Sequence, residues 1–177
     1  MGARAHAVPG RARSLSATRS TLTVEQVGGS NLQDQIETQN LMTYARESSQ
    51  LKVVVADDSA ALRERLAATL AAIEGVRVAG LASCGAEAVD AFNTTLADLF
   101  ILDIQMPDGS GVDVLREIKL RNSATMVIMF TNHPYPQYQQ KCVELGADHF
   151  LSKSRDFKQL IKIVEELAVS KSANPVE

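Results

Sequence analysis

The sequence predicts a doubly wound α/β fold, in which five parallel strands form one sheet and helices cover both of its faces. Three short apolar runs have no polar interruption and end at polar residues; they are residues 53–56, 99–102 and 126–130. Such runs are typical of parallel strands buried on both faces. Segments with apolar residues at helical spacing separate them, and this alternation predicts right-handed βαβ crossovers.

The first half of the predicted domain holds two strands before the central one. Ser59 follows the first strand and is a suitable N-cap for a helix whose apolar positions are Leu62, Leu66, Leu70 and Ile73. Gly75 ends this helix. Residues 76–81 alternate more loosely, as a strand nearer the sheet edge does. A helix through Val89 and Phe92 leads to the strand that ends before Asp103.

The second half continues the alternation. A helix after Gly111 presents Val112, Leu115 and Ile118, and the strand 126–130 ends at Thr131. Residues 138–145 follow a helical pattern that stops at Gly146, and a short strand, 149–151, ends near Lys153. The last amphipathic helix has its apolar positions at Phe157, Leu160, Ile161, Val164 and Leu167.

The two ends of the chain differ from this domain. Residues 1–50 are rich in Arg, Ser, Thr, Gln and Asn, so we predict a disordered extension there, with the domain at 51–170 and a polar tail at 171–177. Met42 is a candidate initiator, which would remove residues 1–41. An intact mass from the native cell tests this, since a species beginning near residue 1 would exclude it.

Composition excludes several classes of function. Residues 1–24 hold four arginines and no acidic residue, so the rest is more acidic than the net charge of −3 indicates. An acidic domain is a poor direct partner for nucleic acid. No apolar run approaches the ~18 residues of a membrane span. Cys84 and Cys142 form neither a metal-like spacing nor a disulfide framework, which favours a reducing, cytoplasmic setting.

Polar residues follow the strands at one edge of the predicted sheet; they are Asp57, Asp58, Asp103, Thr131 and Lys153. Each alone has a plain structural interpretation, such as a turn or a helix start. Their coincidence at the carboxyl edge, where such sheets bind ligands, favours a site. Clustered carboxylates must share protons or hold a cation, and Mg²⁺ prefers such oxygen ligands. With an ammonium and a hydroxyl nearby, the set indicates phosphoryl transfer, and an Asp can itself be the nucleophile.

These motifs resemble the receiver domain of response regulators over about residues 51–170. The resemblance rests on the acid pair after strand one, Asp103 followed by Met106-Pro107-Asp108-Gly109-Ser110-Gly111, Thr131 after strand four and Lys153 after strand five. It implies the flavodoxin-like sheet order 2-1-3-4-5. Nothing resembling an output domain follows, so we expect a stand-alone receiver.

The resemblance also implies a role for each site residue. Asp103 would accept a phosphoryl group from the phosphohistidine of a histidine kinase or phosphotransfer protein. Asp58, Asp103 and the Gln105 backbone carbonyl would bind Mg²⁺, with Asp57 acting largely through water. Lys153 and Thr131 would contact the phosphoryl oxygens. Movement of Thr131 would let Phe150 turn inward, and the face made by helix 4, strand 5 and helix 5 would report this to a downstream protein that the sequence does not name.

Three residues depart from the family pattern. Ser154 stands where proline is usual, so we expect no cis peptide after Lys153 and a looser loop. Asn132 replaces a small residue and restricts access, and Phe150 replaces tyrosine. Gln105 and His133 lie two residues beyond Asp103 and Thr131, and we hypothesise that they set the lifetime of the phosphorylated state; the alternative for His133 is an ordinary loop residue.

Two other classes of function compete with the phosphoacceptor interpretation. A phosphorylation-independent docking module would keep the fold, but it would have no need to keep the acid pair, Asp103, Thr131 and Lys153 together. A flavin carrier on this fold needs a phosphate-binding loop rich in Ser, Thr and Gly after strand one. Two acids occupy that position here, so the flavin carrier is disfavoured.

Overall fold

A computed structural model describes residues 32–173 of the chain. The predictions made for residues 1–31 and 174–177 lie outside these described residues. The elements in chain order are α1 (Leu32–Ser49), β1 (Leu51–Ala56), α2 (Ala60–Ala71), β2 (Val76–Ala82), α3 (Gly85–Thr95), β3 (Leu99–Leu102), β4 (Gln105–Met106), β5 (Gly109–Ser110), α4 (Gly111–Arg121), β6 (Met126–Thr131), α5 (Pro136–Glu144), β7 (His149–Ser152) and α6 (Phe157–Ala173).

The main sheet has five parallel strands in the order β2-β1-β3-β6-β7. Counted among the sheet strands alone, this is the predicted order 2-1-3-4-5, and the predicted fold class is confirmed. The three continuous apolar runs are the three central strands, because neighbours on both sides and helices on both faces exclude water from them. The strand with looser alternation, β2, is an edge strand.

Alternate side chains of each strand supply two separate hydrophobic layers. One layer joins Val54, Phe100 and Met129 to helices α3, α4 and α5. The other joins Val53, Val55, Ile101 and Ile128 to α2 and α6, whose buried residues include Leu66, Leu70, Leu160 and Val164. The period of two along a strand directs its side chains to opposite faces, so each central strand contributes to both layers.

Two local predictions are wrong. Residues 32–49, predicted as disordered, form helix α1, whose described apolar residues Leu32, Ile36, Leu41 and Met42 are exposed. Good helix formers dominate this stretch without an apolar stripe, so the pattern that marks an amphipathic helix is missing. Helix α6 continues to Ala173, past the predicted boundary at 170. The turn-rich stretch after Asp103, for which no strand was predicted, forms a short hairpin, β4–β5, and Asp108 and Gly109 at its turn have φ of 63° and 151°.

None of the helices within residues 32–173 is long and apolar enough to span a bilayer. The same residues contain no cis peptide bond, as expected from Ser154.

Burial makes the two cysteine thiols unequal. Cys142 on α5 is fully buried, and burial raises the pKa of its thiol to about 11, whereas Cys84 is half-buried. We expect one thiol of the native protein to react with an aromatic disulfide at pH 8, and both to react in guanidinium. Because the folded pKa of Cys142 is raised from 9.0, the stability that its buried neutral thiol contributes is complete below pH 9 and declines as pH rises to about 11. Rapid reaction of both native thiols would contradict this.

Candidate functional site

The acidic residues at the sheet edge are brought together by the register of β1 and β3. Ala56 and Leu102 are paired at the ends of these strands, and the Asp103 N–H donates to the Ala56 carbonyl at 2.9 Å. Asp57 and Asp103, one residue further along each strand, are therefore neighbours. Carboxylate oxygens of Asp57, Asp58 and Asp103 lie within 4.8 Å of one another; the first and third residues are buried and Asp58 is exposed.

Lys153 supplies the positive charge of this cluster. Its Nζ lies 2.6 Å from Oδ2 of Asp57 and 2.6 Å from Oδ2 of Asp103, and its side chain is 7% exposed. Strand β7 ends one residue earlier, at Ser152, which pairs with Thr131 of β6. The Lys153 N–H donates to the Thr131 carbonyl at 2.9 Å. One ammonium thus bridges the carboxylates that follow two different strands.

Burial and ion pairing act in opposite directions on these groups. Burial raises the pKa of Asp57, although hydrogen bonds from Lys153 and the Ser59 N–H partly offset this effect. Burial lowers the pKa of Lys153, but the hydrogen bonds and negative charges of Asp103 and Asp57 outweigh it, so the pKa is raised overall. Three carboxylates with one ammonium leave the site short of positive charge.

The predicted switch residues lie beside this cluster. Thr131 is fully buried, and its Oγ1 accepts a hydrogen bond from the His133 N–H at 3.1 Å. His133 in turn stacks on Tyr135, with ring centroids 5.8 Å apart. Phe150 is half-buried and packs against the layer under α3, α4 and α5. Asn132 is exposed. Thr131 is therefore joined to the site through the backbone of Lys153, while Phe150 is only partly buried at the border of the core.

The loop after Asp103 is held against the acid cluster. The Gln105 N–H is 3.4 Å from Oδ1 of Asp103, and the Gln105 side chain is exposed. The Gly111 N–H donates to the Ile104 carbonyl at 2.9 Å. A Cβ built on Gly111 would lie 1.8 Å from the Asp103 carbonyl oxygen, a distance that no side chain tolerates. Gly111 is thus required by a close approach of helix α4 to the Asp103 backbone.

Sequence reasoning missed the contributions of four residues to the site. Arg63 of α2 donates from Nη1 to the Asp57 carbonyl at 2.5 Å, and Ser152 and Asp156 bind one another beside Lys153. Gly111 was used only as the last residue of the family motif and as the start of a helix, without its contact to Asp103. Nothing in residue type or spacing distinguishes Arg63 from a solvated helix residue. Asp156, just before the last predicted helix, did carry the signal of an N-terminal acid.

The donor set fits Mg²⁺. Asp57, Asp58 and Asp103 offer hard carboxylate oxygens, and two of the three residues are already desolvated. Mg²⁺ is commonly bound by one or two carboxylates together with waters and phosphate oxygens. A divalent ion there would also relieve the mutual repulsion of the carboxylates, so the arrangement can bind a cation and place an anionic group next to Lys153.

Comparison with known proteins confirms the resemblance. The response regulator receiver domain model matches residues 53–165. Response regulator UvrY of Escherichia coli K12 is 28% identical over 117 residues, 66% of this chain and 54% of UvrY. The chain spans about half the length of the curated UvrY relatives it matches.

Solved structures agree with the family match. The signal receiver domain of NarL from Mycobacterium tuberculosis gives a TM-score of 0.62 at 29% identity, covering 68% of this chain and 97% of that one. The response regulator domain of Thermotoga maritima CheB gives 0.61 at 26% identity, covering 72% and 98%. The chain therefore belongs to the family of response regulator receiver domains, the modules of two-component signalling.

Proposed function

We propose that this chain is a phosphoacceptor whose Asp103 takes a phosphoryl group from the phosphohistidine of a histidine kinase or phosphotransfer protein. A carboxylate oxygen of Asp103 attacks phosphorus as the P–N bond breaks. The bond's electron pair leaves on the imidazole. Asp57, Asp58, Asp103 and the Gln105 carbonyl would hold Mg²⁺, which would supply positive charge to neutralise the transferred group.

The observation that carries this proposal is the placement of Lys153. Its ammonium lies 2.6 Å from both Asp57 and Asp103, at hydrogen-bonding distance from the proposed nucleophile. When a phosphoryl group joins Asp103, the ammonium can pair with the new oxygens without a large movement. Charge placed in advance near a developing anion is an effective contribution to such a reaction. A module used only for docking has no need for this buried arrangement, which is costly to desolvate.

Thr131 and Phe150 connect the phosphoryl group to the surface in this proposal. The Thr131 hydroxyl, which now accepts from the His133 N–H, would instead donate to a phosphoryl oxygen. Its movement would open space for Phe150 to turn inward and change the face formed by α5, β7 and α6. A phosphoryl group shifts this equilibrium only as far as it binds one conformation better than the other. The signal then passes to a partner protein through that face.

The setting of this reaction in the proposal is the cytoplasm, which the two free thiols, Cys84 and Cys142, support. The proposal assigns no direct nucleic-acid contact to the described residues.

Phosphorylation can be tested by intact mass. Wild-type protein incubated with Mg²⁺ and acetyl phosphate should gain one phosphoryl group. Asp103→Asn, which keeps the size of the side chain but is not a nucleophile, should gain none. Wild type with a chelator should gain none at the same time points. Asp113→Asn, which changes an exposed acid on α4 that pairs with Arg116, is the matched control and should behave as wild type.

The outcome separates two functions. Uptake that is lost in Asp103→Asn and without Mg²⁺ supports the phosphoacceptor. No uptake by folded wild type, from acetyl phosphate or a phosphohistidine donor, would favour the phosphorylation-independent docking module.

Gln105 and His133 are expected to control how long the phosphoryl group persists. Both lie two residues beyond a site residue, and the Gln105 N–H already approaches Asp103. Their truncation changes access of water to the phosphoryl group, so we expect dephosphorylation rates of Gln105→Ala and His133→Ala to change by about 3- to 10-fold, the effect of ~1 kcal/mol. The measurement is loss of label after removal of the donor. Unchanged rates in both variants would remove this role.

A further inference from the structure

The loop that carries Lys153, residues 152–156, contains a hydroxyl pair that no part of the proposed mechanism uses. Oγ of Ser152 and Oγ of Ser154 lie 2.9 Å apart. Ser152 is 2% exposed, whereas Ser154 is exposed. Among the described residues, the Ser152 hydroxyl bonds to the Ser154 hydroxyl. A buried hydroxyl has thus been satisfied by a surface residue on the other side of Lys153.

Asp156 closes the same loop from its other end. Its carboxylate accepts from the Ser152 N–H at 2.8 Å. The Ser152 carbonyl accepts from the Asp156 N–H at 2.8 Å and the Arg155 N–H at 3.2 Å. The Asp156 carbonyl accepts from the Leu160 N–H at 2.9 Å, which joins the loop to helix α6. All three polar groups of Ser152 therefore bind residues that follow Lys153, and the loop that was expected to be loose is closed.

We propose that the Ser152–Ser154 hydroxyl pair, together with Asp156, positions Lys153 between the two buried carboxylates, and that Ser154 is a positioning residue for the reaction at Asp103. The proposal rests on the proposed function for its kinetic consequence only. The Thr131 carbonyl accepts from the Lys153 N–H, and the bonds of Ser152 to Ser154 and Asp156 close the loop on the other side of Lys153. This fixed backbone directs the side chain to the gap between the carboxylates, where its ammonium lies.

A positioning role and a merely structural role predict different effects on Mg²⁺. Lys153 and Mg²⁺ are both cations drawn to the same carboxylates, so they oppose one another there. A loosened Lys153 spends less time at Asp57 and Asp103. Mg²⁺ then binds more tightly, while phosphorylation, which needs the ammonium in place, becomes slower. General loosening of the fold would instead weaken Mg²⁺ binding and slow phosphorylation together.

The test compares Ser154→Ala with three other variants. Ser154→Ala removes one partner and leaves the buried Ser152 hydroxyl unsatisfied. The double variant Ser152→Ala/Ser154→Ala removes both partners, which restores much of the stability lost through an unpaired buried group. Ser154→Thr keeps the hydroxyl. Ser170→Ala is the matched control, because it also removes one hydroxyl bond of 2.9 Å, to the Glu166 carbonyl on α6.

Three quantities are measured for each variant: the dissociation constant for Mg²⁺ by calorimetry, the midpoint of denaturant unfolding, and the rate of phosphorylation by acetyl phosphate. In Ser154→Ala and the double variant we expect Mg²⁺ to bind about 3-fold more tightly and phosphorylation to slow by about 5-fold, the scale of one ordinary hydrogen bond. The unfolding midpoint falls in Ser154→Ala but recovers in the double variant. Ser154→Thr and Ser170→Ala match wild type in the two site measurements.

A fourth measurement reports on Lys153 directly. Its ion-paired ammonium should give a slowly exchanging ¹H–¹⁵N signal, assigned by its loss in Lys153→Arg, and this signal should persist in Ser154→Thr and disappear in Ser154→Ala. The proposal is overturned if Ser154→Ala retains both the signal and the wild-type affinity for Mg²⁺. If wild type itself takes up no phosphoryl group, the proposed function fails, and the ammonium signal still decides whether Ser154 positions Lys153.

Discussion

Gly111→Ala should destabilise this protein more than any other exchange of a glycine for alanine in the described domain. The added Cβ would lie 1.8 Å from the Asp103 carbonyl oxygen and 2.8 Å from its carbonyl carbon. Both are backbone atoms of a residue fixed by β3, so neither can turn aside as a flexible side chain would. Strained packing of this kind costs about 1–3 kcal/mol and more where backbone must move; we expect a loss of at least ~3 kcal/mol in the free energy of unfolding.

The same substitution should act on the site. Helix α4 must withdraw from Asp103 or push its backbone, and either movement shifts the carboxylate relative to Lys153. A misplacement of this order is expected to slow phosphorylation by about 100-fold. Denaturant unfolding gives the stability, and intact mass after acetyl phosphate treatment gives the rate for the folded fraction.

Gly85→Ala is the matched control for this experiment. Gly85 is also buried and also begins a helix, α3, but a Cβ there would meet only Cγ2 of Val114, at 3.6 Å. That is ordinary van der Waals contact, and alanine is the better helix former by up to ~1 kcal/mol. We expect Gly85→Ala to stay within about 1 kcal/mol of wild type. Equal stability of the two variants would show that the close approach at Gly111 carries no strain.

The fold and the set of residues at the sheet edge could be predicted from the sequence. The fold could be predicted because its signals are local: residues 53–56, 99–102 and 126–130 are apolar without interruption, and only a strand covered on both faces requires that. The acids, Thr131 and Lys153 could be placed on one edge because parallel strands end together. Each step uses neighbours in the sequence and one rule of sheet geometry.

The remaining features depend on distances between particular atoms, which residue type and spacing do not specify. Gly85 and Gly111 are alike in sequence, and only the distance from α4 to Asp103 separates them. Arg63 reaches the Asp57 carbonyl because α2 packs over the end of β1. Ser154 was a departure from the family pattern that predicted a looser loop, and the hydroxyl of Ser152 reverses that expectation. Helix α1 was missed for another reason, since it lacks the apolar stripe on which the prediction relied.

Stability and reactivity are opposed at the acid cluster. Burial raises the pKa of Asp57, which means that its ionised form is disfavoured in the folded state. The neutral carboxyl of Asp57 therefore stabilises the folded state. This stabilisation is complete below the unfolded pKa near 4 and is lost as pH rises through the raised folded pKa. At neutral pH the site therefore retains two buried carboxylates at a cost to the fold, and the ion pairs with Lys153 offset part of that cost.

Lys153→Ala should reveal both sides of that balance. Without the ammonium, Asp57 and Asp103 are buried with no cation, and breaking a buried pair in this way costs about 3–5 kcal/mol. We expect the free energy of unfolding at pH 7 without Mg²⁺ to fall by ~3 kcal/mol. The loss should shrink as pH falls through the raised pKa of Asp57, because protonation then removes one of the charges. Mg²⁺ should restore most of the stability and bind about 10-fold more tightly than to wild type, an effect of ~1.4 kcal/mol.

Phosphorylation should respond in the opposite direction to Mg²⁺ affinity. The variant lacks the Lys153 ammonium that would pair with the phosphoryl oxygens. Removing one such positioned donor lowers the rate of the reaction about 100- to 1,000-fold. Lys171→Ala is the matched control, because its Nζ also lies 2.6 Å from a carboxylate, that of Asp98, but both groups are more exposed. An ion pair that solvent reaches contributes about 1 kcal/mol, and phosphorylation should be unchanged. If Lys153→Ala lost stability but kept both the wild-type Mg²⁺ affinity and the wild-type rate, Lys153 would be a structural ion pair, and the charge for phosphoryl transfer would have to come from elsewhere in the site.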